Sequence, residues 1–187
     1  MRQNFRKARD FTAQVFLCAF LSTTFAADQE IAPQPQPQIS QPSPAKVSGI
    51  TQAAVKGGVL SCAGRIEQVS NFLTTNSRSA AVLFIPPSQP DRQLVSASIE
   101  IEPKDAPLVY GSASFAPGMA NGCGGIYETV IYWPARCEEV ASRNFSGLKQ
   151  SGVISRNIAV LDAGISARVF LMPAGPGCVS IKKELVR

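Results

Sequence analysis

The sequence predicts a single α+β domain with a mainly antiparallel sheet and two helices, stabilised by disulfides. Three observations support this fold class. Apolar and polar residues alternate over residues 94–102, as in a strand with one buried face. Apolar residues recur at helical spacing over residues 58–74. The cysteine count becomes even once a predicted signal peptide is removed, and the 187 residues are typical of one domain.

Residues 1–26 are predicted to be a secretory signal peptide. Four basic residues precede an apolar stretch over residues 11–25, and small residues follow at the expected cleavage point, Ala26. The stretch is interrupted by polar residues and is shorter than the roughly 20 apolar residues of a spanning helix. We therefore expect a periplasmic or extracellular protein with no transmembrane segment after signal cleavage.

The charge of the chain depends largely on this signal. Its removal takes away four basic residues and one acidic residue, so the formal charge falls from +5 to +2. The remaining basic residues form no stripe with interleaved aromatic residues. The sequence thus predicts no nucleic-acid partner.

Residues 27–56 are predicted to be a disordered linker rich in proline and glutamine. Proline and glutamine alternate over residues 33–38, and Pro42 and Pro44 follow. Proline fixes φ and lacks an amide donor, so this composition favours an extended spacer over a packed core. The globular domain is predicted to span residues 57–187.

The first half of the domain is predicted to contain one helix and three strands. The helix covers residues 58–74. A continuous apolar run over residues 80–85 indicates a buried strand, because Pro86 and Pro87 end it. The alternating strand at 94–102 places Glu100 and Glu102 on its wet face, and a returning strand at 108–115 completes a hairpin.

The second half begins with a glycine-rich loop at residues 117–125. A central strand is predicted at 126–133 from its β-branched and aromatic residues. The second helix is predicted at 135–146, with acidic residues in its first turn and Gly147 at its end. No internal repeat is detected. Three further strands are predicted at 153–161, 167–172 and 178–186, the last two separated by a proline- and glycine-rich turn.

Four cysteines remain after loss of Cys18, and they are expected to form two disulfides. A bond between Cys123 and Cys137 is disfavoured because a straight strand of about 26 Å would separate them. Two pairings stay open: Cys62–Cys137 with Cys123–Cys178, or Cys62–Cys123 with Cys137–Cys178.

The chain has no histidine, which excludes histidine-dependent nucleophilic catalysis and imidazole metal ligands. No catalytic residue, cofactor site or metal site is predicted. Ser146 with Lys149 and Ser180 with Lys183 match a Ser-x-x-Lys pattern, but the accompanying motifs of that enzyme class are absent from the sequence. We interpret these residues as solvated surface groups.

Glu128 and Trp133 are the two speculative binding residues. Glu128 interrupts an apolar strand, where burial would raise the pKa of a carboxyl group. Trp133 stands at the end of the same strand, as a core aromatic or as an exposed anchor for a partner. We interpret Glu128 as structural rather than catalytic.

These features favour a non-enzymatic binding or accessory module of the bacterial cell envelope, with another protein as its partner. An accessory factor, an assembly subunit and an inhibitor or immunity protein all fit this description. Two alternatives stay open. One is a periplasmic domain that binds a small molecule or glycan, and the other is a hydrolase that uses carboxylates such as Glu128.

Overall fold

A computed structural model of the chain describes residues 47–118 and 122–186. The predicted signal peptide and residues 27–46 of the predicted linker lie outside the described residues. The elements in chain order are α1 (Gly49–Lys56), α2 (Ala63–Thr74), β1 (Ser77–Phe84), a 3-10 turn (Pro90–Arg92), β2 (Val95–Pro103), β3 (Val109–Gly118), β4 (Gly122–Trp133), α3 (Cys137–Asn144), β5 (Lys149–Ile154), β6 (Ile158–Asp162), β7 (Ala167–Ala174) and β8 (Gly177–Val186).

The eight strands form one sheet in the order β1-β2-β3-β4-β8-β7-β6-β5, and every neighbouring pair is antiparallel. The predicted α+β class with a mainly antiparallel sheet is therefore confirmed, and the sheet dominates the fold. The predicted count of two helices is wrong for the described residues, which contain three α-helices.

The additional helix, α1, occupies residues that the sequence analysis placed in the linker. Its cap is Ser48, whose hydroxyl accepts a hydrogen bond from the Thr51 amide. Thr51 and Ala54 are buried, so this helix belongs to the core. Gly58 follows the helix with φ +88°, a conformation that ends α1. The chain then continues through a turn before α2 begins. The helix predicted from residue 58 accordingly begins only at Ala63.

Two strand predictions are also corrected. The apolar run predicted as a buried strand is β1, which lies at one edge of the sheet with most of its residues exposed. The segment predicted as one strand at 153–161 is a hairpin of β5 and β6, which turns at Ser155 with φ +55°. The alternation predicted for 94–102 is confirmed, because Val95, Ala97, Ile99 and Ile101 are buried along β2.

Apart from α1, the described residues form two halves of the same topology that the sequence did not reveal. Each half is a helix followed by four strands that each pair with the next: α2 with β1–β4, and α3 with β5–β8. The halves join through antiparallel pairing of β4 with β8, so the strand order reads the same from both edges.

Each half contains one disulfide, which joins the start of its helix to the start of its fourth strand. Cys62, the cap of α2, bonds to Cys123, the second residue of β4; Cys137, the first residue of α3, bonds to Cys178, the second residue of β8. The Cα–Cα distances are 5.1 and 5.0 Å. Two disulfides are thus confirmed, in one of the two pairings that the sequence left open.

The helices lie on one face of the sheet, where they cover two clusters of buried side chains. The first cluster packs α1 and α2 against β2, β3 and β4, around Ile66, Ile99 and Phe115. The second packs α3 against β6, β7 and β8, around Val140 and Leu171. No described helix covers the opposite face, which we call the open face.

Candidate functional site

Glu128 lies on the open face of β4, directly opposite Lys183 of β8. Its Oε2 atom is 3.0 Å from Lys183 Nζ, and both side chains are partly exposed. Glu184 follows Lys183 on the strand and therefore faces the helices, away from Glu128. Asp162 shares the open face but is three strands away, about 14 Å at roughly 4.8 Å per strand. The carboxylates of glycosidases stand closer than this, so the arrangement does not favour carboxylate hydrolysis.

Trp133 and Ser180 contact each other on the helix side of the sheet. The indole Nε1 donates a hydrogen bond of 2.8 Å to Ser180 Oγ, and Trp133 packs against the second core cluster. Ser180 is buried, and Lys183 of its Ser-x-x-Lys match points to the other face of β8. Ser146 is exposed after α3, and Lys149 is exposed as the first residue of β5. The structure thus places Trp133, which is partly buried, against the second core cluster. It places Ser180 and Lys183 on opposite faces of β8.

A polar cluster that no sequence pattern predicted lies on the helix side between β4 and β8. Tyr127 donates a 2.5 Å hydrogen bond to Glu184 Oε2, and Lys182 Nζ lies 2.8 Å from the same oxygen. Lys182 Nζ also donates to the Tyr127 hydroxyl at 3.1 Å and lies 5.7 Å from the ring centre of Phe72 on α2. Predicting this cluster would require the register of β4 against β8, which a single sequence does not supply.

The charges of this cluster stabilise one another. Burial and the hydrogen bond to Glu184 raise the pKa of Tyr127. Hydrogen bonds from Lys182 and Tyr127 lower the pKa of Glu184. Burial opposes the charged form of Lys182, but Glu184 and Tyr127 outweigh it and raise the pKa. At neutral pH the cluster therefore contains an ion pair, Lys182 with Glu184, and the protonated phenol of Tyr127. These contacts join β4 to β8, and Lys182 also contacts Phe72 of α2.

The edge strand β1 offers a different kind of site. Within the described residues it pairs only with β2, over eight residues and without a break in register. An edge strand leaves the N–H and C=O groups of every other residue without strand partners. Apolar side chains of β1 are also accessible to solvent. On the open face, Val82 is 60% and Phe84 59% exposed.

The two edges of the sheet differ in how they are protected. Natural edge strands avoid further pairing through charge, proline, bulges or short length. The β5 edge has six residues, begins with Lys149, and carries a register shift between Gln150 and Gly152. Each edge strand carries one charged residue, and that of β1 is Arg78, which forms a 2.7 Å ion pair with Glu102 of β2. The two edges therefore differ in the length of the strand and in the register shift of β5.

A groove of about 300 Å³ runs along β1 on the helix side, between this strand and α1. Its apolar walls include Ile50 and Ala53 of α1 and Leu83 of β1. Ser79 and Ala81 point to this side of the sheet yet are exposed, so the helix layer stops short of the edge. Strand edge and groove together form the candidate site.

Comparisons with known proteins do not identify a family: no family model matches the chain, and no curated protein or solved structure is significantly similar to it. In the described ranges, no helix has both the length and the apolar character needed to cross a membrane. Residues 47–118 and 122–186 also contain no group of three or more acidic or cysteine side chains arranged to hold a metal ion.

Proposed function

We propose that this protein is an exported binding module of the bacterial cell envelope that captures an extended segment of another protein on the edge of β1. The observation that carries the proposal is the eight-residue edge of β1, which no further strand of the described residues covers, beside a groove. A strand from a partner would complete the hydrogen bonds of β1 and extend the sheet, a recognised mode of peptide binding.

Export is supported by the predicted signal peptide and by the disulfides Cys62–Cys123 and Cys137–Cys178, since stable disulfides are typical of chains folded outside the cytosol. The groove is at the lower end of the volumes of small-molecule sites, which suits side chains of a peptide better than a separate ligand. Assembly subunits and accessory factors commonly act through such segments.

Two proline substitutions on β1 test this function. Adjacent residues of a strand point their amides in opposite directions, so only one of Ala80→Pro and Ala81→Pro removes an outward N–H. The other breaks the ladder to β2 and lowers the melting temperature. The variant that keeps its melting temperature should lose the partner, whereas Ser151→Pro on the opposite edge should retain it.

The exported, tagged chain is crosslinked in living cells, and each captured protein is quantified for wild type and all variants. Amide hydrogen exchange of the purified complex then reports whether β1 gains protection. A partner that the folded proline variant captures as well as wild type, or a wild type that captures nothing, would falsify strand addition at this edge.

A further inference from the structure

We infer that a second copy of this chain packs face to face on the open face of strands β4 to β8, as a two-fold symmetric dimer. The inference goes beyond the proposed function, because the β1 edge lies at the other end of the sheet. It starts from an apolar patch on the open face. The patch consists of one row of side chains across four neighbouring strands and part of the next row: Val130, Ile181, Phe170 and Val160, then Val179 and Met172.

No described helix covers the apolar patch. The three described helices all pack on the other face of the sheet. Every residue of the patch is partly exposed, and none packs against either core cluster of the described residues. Contiguous apolar surface that stays accessible to solvent marks an interaction site more often than single exposed residues do.

The first half of the fold carries polar residues at the equivalent positions. Counted from the disulfide cysteines of β4 and β8, Phe170 of β7 corresponds to Ser114 of β3. By the same count, Val160 of β6 corresponds to Ser96 of β2. The hydroxyls of Ser96 and Ser114 lie 3.1 Å apart in a hydrogen bond. The serine face suits contact with solvent, whereas the apolar face suits a covered surface.

The size of this surface suits a dimer. Strands β4 to β8 contain five to twelve residues each, so at about 4.8 Å between strands and about 3.3 Å per residue their face measures about 650 Å². A stable interface covers about 600–1,000 Å² on each partner. Sheets that pack face to face with aligned strands lie about 10 Å apart, which lets the side chains of two patches interdigitate.

The residues that precede the described part of the domain offer little to cover this surface. Between residues 27 and 46 the only large apolar side chains are those of Ile31 and Ile39, and five residues are prolines. Two aliphatic side chains are too few for the patch. A second copy supplies an apolar surface of equal size.

The charges of this face are complementary to those of a second copy. They form one row beside the apolar patch, which from β5 to β4 reads Lys149, Asp162, Arg168, Lys183 and Glu128. A two-fold axis over β7, parallel to the strands, places Lys149 opposite Glu128 of the second copy. It also places Asp162 opposite Lys183. Arg168 falls near the axis, 3.1 Å from Asp162 of its own copy. Opposite charges thus meet, as a self-complementary contact requires.

The same axis matches the apolar row. Ile181 of one copy faces Val160 of the other, and the two Phe170 side chains meet at the axis. Val130 faces Gly152 of β5, which lies opposite Val160 and leaves room for a larger residue. Each large side chain therefore meets a partner that it can pack against.

Sedimentation equilibrium of a chain that begins at Ala27, after the predicted signal peptide, measures the dimer. Phe170→Asp should raise the dissociation constant at least about a hundredfold, because the two-fold places two unpaired carboxylates in the interface. Ser114→Asp, at the equivalent position of the first half, is the matched control and should dimerise as wild type does. Melting temperatures check that each variant folds. Phe170→Ser is the milder variant and should weaken the dimer at least about tenfold.

A charge exchange tests the position of the axis. Glu128→Lys and Lys149→Glu should each raise the dissociation constant about tenfold, because like charges then meet across the interface. The double variant should recover most of the affinity of wild type. A double variant that dimerises no better than the single variants would overturn the placement of the axis over β7.

The outcomes separate this inference from the proposed function. A wild type that remains monomeric would overturn the dimer, and this is the result expected if residues 27–46 or another protein cover the face. A dimer that Ser114→Asp weakens as much as Phe170→Asp does would overturn it as well. The folded proline variant of β1 should stay dimeric while it loses its partner. If the dimer dissociates in that variant, the contact lies at the β1 edge and the inference is overturned.

Discussion

Tyr127 and Glu184 lie directly opposite each other on β4 and β8, and the phenol donates its hydrogen bond to the carboxylate that also pairs with Lys182. This contact joins the two halves of the fold on the helix side. Because all three groups titrate, their contacts should shape the dependence of stability on pH.

The pKa of Glu184 is lowered by its hydrogen bonds with Lys182 and Tyr127. The stabilisation it provides is therefore present above its ordinary pKa of 4.5 and is lost as the pH falls through the lower folded value. The pKa values of Tyr127 and Lys182 are raised, so their contributions are present below the ordinary values of 10.0 and 10.5 and are lost at higher pH.

We expect Tyr127→Phe to lower the free energy of unfolding at neutral pH by about 1 kcal/mol. The variant should also lose less stability than wild type on acidification, because the pKa of Glu184 returns towards its ordinary value. Urea unfolding across the pH range measures both effects. The control is Tyr110→Phe, which removes a half-exposed hydroxyl that contacts Ser98 and should leave the acid dependence unchanged.

Each disulfide should contribute substantially to stability. The Cys62–Cys123 bond closes a loop with a sequence separation of 61, and the Cys137–Cys178 bond one of 41. Chain-entropy arguments give about 4 kcal/mol for loops of these lengths. Replacing either pair by alanine should therefore lower the unfolding free energy by about this amount. Non-reducing peptide mapping checks the pairing, and a linked peptide containing Cys62 and Cys137 would contradict it.

The first residue of an N-terminally truncated chain should determine how stable the folded domain is. A truncated chain that begins at Val47 keeps α1 and the hydrogen bond of 3.0 Å from the Ser48 amide to Glu67. It should melt at nearly the same temperature as a chain that begins at Ala27, after the predicted signal peptide. A chain that begins at Gly57 loses Ile50 and the buried Ala54 from the first core, which should cost about 2 kcal/mol or more. Equal melting temperatures for the two truncations would contradict the placement of α1.

Trp133 and Ser180 should be energetically coupled. Trp133→Phe leaves the hydroxyl of Ser180, which is 2% exposed, without its indole partner, at an expected cost of about 1–3 kcal/mol. Adding Ser180→Ala removes the orphaned hydroxyl and should restore part of the loss. A double-mutant cycle followed by circular dichroism measures the coupling, and strict additivity of the two changes would argue against the contact.

Local patterns explain why several elements follow from the sequence. The alternation along β2 reports its buried face directly, and α2 shows Ile66, Val69 and Leu73 at helical spacing, all of them buried. α3 lies within the range predicted from its acidic first turn. In each case the residues whose pattern predicts the element are the residues that form it.

Features that depend on distant pairing did not follow from local patterns. The apolar run of β1 resembles a buried strand, because an apolar run does not show whether other elements cover the two faces of the strand. The duplicated architecture was hidden because its halves differ in loop length, although each fourth strand begins with glycine and cysteine, Gly122-Cys123 and Gly177-Cys178. The cluster around Tyr127 required the register of β4 against β8.

For an exported chain, as proposed above, the order of the cysteines has a consequence for folding. The native bonds join each cysteine of the domain to the next one, first Cys62 with Cys123 and then Cys137 with Cys178, and the two loops do not overlap. A chain entering an oxidising compartment from its N-terminus exposes the first pair before the second arrives. Simple vectorial oxidation therefore produces the correct bonds, and maturation of this protein should proceed without a disulfide isomerase.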